Sequence, residues 1–99
     1  MTLVVRLFGS LEVIGPGGRL CTEDFPSRKA KQVLAVLAVA AGEPVSKERL
    51  IDQIWGERLP VDPFGAVEQA VSVLRRALRA VSDEPVVLTR GAWYQINTG

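Results

Sequence analysis

A chain of 99 residues with 12 Lys+Arg against 11 Asp+Glu, no histidine, one cysteine and 47% apolar content has the makings of one domain with a core large enough to fold alone. Without histidine and with a single thiol it cannot assemble a Cys/His zinc site, a histidine-assisted nucleophile or a disulfide framework. A formal charge of +1 argues against a polybasic tail but leaves open where the charges sit on the folded surface.

The longest apolar run, Val33 to Ala41, falls far short of the roughly 20 residues that cross a bilayer. No membrane association is expected. Residues 2 to 5 are apolar, yet Arg6 interrupts them without a basic leader ahead, so the expectation is a cytoplasmic chain without a signal peptide. Gly15-Pro16-Gly17-Gly18 is too short for a linker and matches no phosphate-binding spacing. It reads as a hairpin turn. No nucleophile stands with a base, so neither catalysis nor a cofactor is expected.

In chain order, Leu3 to Phe8 and Leu11 to Ile14 are β-rich runs separated by Gly9-Ser10, and Arg19-Leu20-Cys21 returns after the glycine-rich turn as a third strand. Cys21 reads as a small buried or half-buried residue. A fourth short strand is placed near Asp24 to Pro26. Ser27 then caps a helix from about Arg28 to Ala41, with Gly42 in the C′ position. Arg28, Lys29 and Lys31 crowd its first turn against the helix dipole. After the extended Glu43-Pro44-Val45, Ser46 caps a second helix, Lys47 to about Trp55, which Gly56 ends.

Asp62-Pro63 starts the third helix, an N-cap aspartate followed by proline at the first helical position. Phe64, Val67, Val71, Leu74, Leu78 and Val81 alternate intervals of three and four and define one buried face. Gln69, Ser72, Val73, Arg76 and Arg79 turn to the opposite side, with Glu68 and Arg75 at one shoulder. Pro85 to Thr89 and Ala92 to Ile96 form a terminal hairpin around Arg90-Gly91. Trp93 and Tyr94, being adjacent on a strand, face opposite sides. The expected architecture is one α+β domain over residues 1–99: an N-terminal antiparallel sheet (1–26), a three-helix core (27–82) and a hairpin wing (83–99). This is the element order of a winged helix-turn-helix.

The residues also resemble the OmpR/PhoB-type winged helix, and in particular the N-terminal domain of Streptomyces antibiotic regulatory proteins (SARP). The resemblance rests on Leu7-Phe8-Gly9-Ser10-Leu11-Glu12-Val13, Arg28 to Leu37, Pro44 to Gly56, Val71 to Leu78 with its Leu-Arg-Arg-Ala-Leu core, and Thr89-Arg90-Gly91 with Tyr94. It implies a four-stranded N-terminal sheet and a role in transcription activation. It further implies duplex DNA and RNA polymerase as partners, with two copies on direct-repeat DNA. Those relatives usually carry a polar residue where Ala70 lies, an arginine at Val73, a glycine at Trp93 and an arginine at Gln95. Each change removes a polar or basic group from the surface expected to meet DNA or alters the wing.

Gln69, Ser72, Val73 and Arg76 have the spacing that lines side chains along a helix entering a major groove. Glutamine suits adenine, arginine suits guanine, and valine can touch a thymine methyl. Arg75 and Arg79 are phosphate candidates that would also favour the helix C-terminal half electrostatically. Thr89 and Arg90 are wing candidates for adjacent backbone or minor groove, and Lys47 is a backbone candidate at a helix start. Trp55 can either donate to a phosphate, as the resemblance implies, or pack in the core beside Ile54. A second reading takes Ala70, Val73 and Glu68 as signs of a degenerate winged helix acting as a protein-interaction module.

Overall fold

The computed structural model describes residues 3–7 and 11–97. The expected first strand therefore lies partly outside the described residues, together with Phe8, Gly9 and Ser10. Three antiparallel strands, β1 (Val4–Arg6), β2 (Glu12–Gly15) and β3 (Gly18–Cys21), are ordered β1-β2-β3. Val13 pairs with Val5 on one side and Leu20 on the other, so these residues share the face turned to the core. Glu12 lies on the outer face between Arg6, at 3.8 Å, and Arg19, at 3.4 Å, each a half-exposed pair worth about 0–1 kcal/mol.

The expected fourth strand near Asp24 to Pro26 is absent. Thr22–Asp24 form a single 3-10 turn instead, held by one local side-chain bond and one that reaches back to Leu11. The Thr22 hydroxyl accepts from the Leu11 N–H at 2.9 Å, and the Asp24 carboxylate accepts from the Cys21 N–H at 2.8 Å. Among the described residues the N-terminal sheet thus has three strands, not the four implied by the resemblance. Phe25 follows the turn into the core, and Cys21 is half-buried as expected.

Each of the three helices starts on the side-chain cap its sequence promised. Ser27 accepts from the Ala30 N–H before α1 (Arg28–Val39), Ser46 from the Arg49 N–H before α2 (Lys47–Trp55), and Asp62 from the Gly65 N–H before α3 (Pro63–Leu78). Such caps contribute about 1 kcal/mol each. α1 stops two residues short of its expected end, and Ala41, rather than Gly42, takes the first left-handed position, at φ 53. α1 packs on both α2 and α3. Val33, Leu34, Leu37, Leu50, Val67 and Leu74 fill the space between them with no exposed surface.

Two expectations for the α3 stripe change. Phe64 is 47% exposed, because it stands in the first helical turn, ahead of Val67 where burial of that face begins. Val81 is fully buried although the helix has already ended at Leu78.

The second sheet contains β4 (Val45–Ser46), β5 (Val87–Arg90) and β6 (Trp93–Ile96), ordered β4-β6-β5. The expected extended piece before α2 is thus a strand of the wing sheet, with Val45 opposite Tyr94 and Ser46 opposite Trp93. The hairpin turn is Gly91-Ala92 rather than Arg90-Gly91; Arg90 is the last residue of β5, opposite Trp93. Gly91 supplies the positive φ of 64 that this turn requires. As expected from adjacency, Tyr94 is buried while Trp93 is 48% exposed.

Candidate nucleic-acid interface

Gln69, Ser72 and Arg76 are exposed along α3, whereas Val73 is half-buried and packs against the core. The expected line of four outward side chains therefore becomes three, flanked by a valine whose surface is partly covered. Ala70 is 4% exposed. Its small side chain belongs to the helix-helix core, so the missing polar group there takes nothing from the outer face of α3.

Arg75 leaves the helix on another side, toward the wing. Its guanidinium donates to the Val87 carbonyl at 3.1 Å and to the Thr89 hydroxyl at 2.6 Å, and lies 5.9 Å from the centre of the Tyr94 ring. Charge-assisted hydrogen bonds of this kind are stronger than neutral ones. Arg75 and Thr89 accordingly brace β5 against α3. Arg76 and Arg79, by contrast, are exposed, and among the described residues their side chains make no bond. They are the helix cations left open to an anionic ligand.

Lys47 opens α2 beside the wing. Its backbone N–H donates to the Ala92 carbonyl in the hairpin turn at 3.2 Å, which ties the wing tip to the start of that helix. Its ammonium bonds the Glu68 carboxylate of α3 at 3.0 Å and stands 5.6 Å from the Tyr94 ring centre. The hydrogen bond to Glu68 raises the lysine pKa above its ordinary value, outweighing the lowering effect of burial. Tyr94 thus has a cation from α2 and another from α3 on its ring. The shared shoulder of Glu68 and Arg75, seven residues apart, was visible in the sequence; Tyr94 as the meeting point of Arg75 and Lys47 was not, because it depends on how the wing docks.

On the wing, Arg90 is exposed and its Nε–H donates to the Gln95 side-chain carbonyl at 3.3 Å. The Gln95 amide in turn donates to the Gly42 carbonyl. The glutamine therefore links the loop after α1 to the wing, a job its amide can do by offering donor and acceptor together. Trp55 is half-buried against the core, with the Lys29 ammonium 5.2 Å from its ring centre. This geometry favours its packing role. The same contact gives Lys29 an aromatic partner at an otherwise unfavourable helix N-terminus.

A short helix, a longer helix packed against it and a hairpin braced to the latter define a winged helix-turn-helix. Residues 26–96 match the family described as transcriptional regulatory protein, C terminal. The chain belongs to that family, that of the OmpR/PhoB-type DNA-binding domains of transcription regulators. DNA is therefore its partner class, and the family is not one of enzymes. No curated protein matches the chain. Among the described residues, no helix is long and apolar enough to cross a membrane.

Proposed function

We propose that residues 1–99 form one sequence-specific duplex-DNA-binding unit of a SARP-like bacterial regulator, with α3 in the major groove and the wing on adjacent backbone or minor groove. The observation that carries this reading is the exposed row Gln69, Ser72 and Arg76 on α3 beside a wing held to the same helix by Arg75. Gln69 and Arg76 supply the bidentate groups that read adenine and guanine, and Ser72 can reach either. Arg79, Arg90 and Lys47 supply phosphate contacts. Val73 offers part of a methyl-sized surface, while Arg75, Thr89 and Trp55 act by positioning.

Leu59, Val61 and Phe64 are 57%, 106% and 47% exposed in and just after the loop joining α2 to α3. An apolar surface beside the DNA-reading helix supports a protein partner on the same DNA, RNA polymerase in this reading. Two copies on direct-repeat DNA would offset the modest affinity expected of a domain with a formal charge of +1. Cytoplasmic residence follows from a DNA partner in a bacterium.

A salt titration tests the core of the proposal. Binding carried by several phosphate contacts weakens steeply with salt, with a log-log slope of about −0.9 per neutralised phosphate. A flat response, or affinity unchanged by Arg76→Ala and Arg90→Ala, would overturn it.

A further inference from the structure

Two cations converge on the Tyr94 ring, Lys47 Nζ at 5.6 Å and Arg75 Cζ at 5.9 Å. Among the described residues one carboxylate answers them. Glu68 bonds Lys47 at 3.0 Å and forms no ion pair with Arg75. The lysine side chain is only 18% exposed, whereas that of Glu68 is 58% exposed. The more solvent-accessible partner is therefore the acid, at a rim where solvent and other anions can compete for the same ammonium.

We propose that Glu68 is an electrostatic lock on the DNA-binding surface, and that binding exchanges the Glu68 carboxylate on Lys47 for a backbone phosphate. This deepens the duplex-binding reading above and rests on it. The exchange is geometrically economical. Lys47 already stands at the start of α2, anchored through its own N–H to the wing turn at Ala92, with its ammonium over the Tyr94 ring. No large movement is needed to present the ammonium once the carboxylate swings away on its own helix. Gln69, the next residue along α3, is exposed as a base-reading candidate, so a phosphate near Lys47 and a base near Gln69 belong to one docking event. The lock makes Lys47 a conditional contact. With Glu68 in place, every new Lys47–phosphate bond is offset by a lost Lys47–carboxylate bond, and the net gain is small.

The test is a double-mutant cycle on binding of the whole 99-residue chain to a short mixed-sequence duplex, with folding of each variant followed by thermal unfolding. Glu68→Gln should tighten binding about fivefold at low salt, the factor carried by one unit-charge contact of about 4 Å in water. Its log-log salt slope should stay near the wild-type value, because Lys47 meets the same phosphate in both complexes and the number of neutralised phosphates is unchanged. The decisive comparison is Lys47→Ala. It should cost about fivefold more affinity in the Glu68→Gln background than in the wild type, because only there is the lysine free from the start. A cost equal in both backgrounds would mean that Glu68 contributes bulk charge and no lock, which overturns this inference while leaving duplex binding intact. Failure of all four proteins to bind the duplex overturns the lock and the groove reading together.

Discussion

The Gly17 N–H donates to the Val81 carbonyl at 2.8 Å, seating the turn between β2 and β3 on the chain that leaves α3. The contact is close enough to exclude side chains. A Cβ placed on Gly15 would fall well inside van der Waals distance of the same carbonyl oxygen and also touch the Leu3 side chain. The glycines of this turn thus couple the N-terminal sheet to the end of the DNA-reading helix. Gly15→Ala should destabilise the domain by about 1–3 kcal/mol, the usual cost of forcing atoms into a packed site. Urea unfolding would show it as a lowered midpoint at constant slope. An unchanged midpoint would mean that the turn does not dock.

Ala41 predicts the opposite sign. It is exposed and sits at φ 53 just beyond the α1 cap, a left-handed conformation that costs an L side chain about 1 kcal/mol and a glycine almost nothing. Ala41→Gly should stabilise the protein by about 0.5–1 kcal/mol despite removing a methyl group. The same urea measurement decides it.

Neighbouring arginines on α3 should separate by role. Arg76→Ala should leave stability within about 0.5 kcal/mol yet weaken duplex binding and relax discrimination at the base it reads by about 1–3 kcal/mol. Arg75→Ala removes the guanidinium bonds to Val87 and Thr89 and should cost about 1–2 kcal/mol of folding stability. Paired unfolding and binding measurements that ranked the two residues the other way would reverse the assignment of brace and reader.

The ion pair between Lys47 and Glu68 also makes a prediction at high pH. Because Glu68 raises the lysine pKa on folding, the charged lysine favours the native state. That contribution is fully present below the ordinary lysine pKa and disappears as pH climbs through the elevated folded value. Stability of the wild type should consequently fall more than that of Glu68→Gln across the alkaline range above the ordinary value. Thermal unfolding in a pH series measures this, and parallel curves would show that the pair contributes nothing to folding.

Much of the fold was legible because its signals are local. Ser27, Ser46 and Asp62 start their helices by hydrogen bonds three residues long, and Val67, Val71, Leu74 and Leu78 reach the core through spacing alone. Where reading failed, a nonlocal or competing bond decided. Thr22 bonds back to Leu11 across the sheet and turns an expected strand into a 3-10 turn. Phe64 keeps the right phase for burial, but at its end of α3 the face is open.

The candidate site divides along the same line. Amino-acid order by itself determined which residue types lie on which side of α3, that no histidine is on hand for a Cys/His zinc site or a histidine-assisted nucleophile, and that a hairpin follows the long helix. Tertiary structure alone decided what each charge does. Arg75 and Arg76 are adjacent in the chain and chemically identical, yet the wing docked at Val87 and Thr89 engages one and leaves the other in solvent. Lys47 and Glu68, which belong to different helices, become partners only when α2 and α3 pack. Helical periodicity gives the direction a side chain leaves its helix. Whether an anion, a carbonyl or water waits there depends on elements far away in sequence.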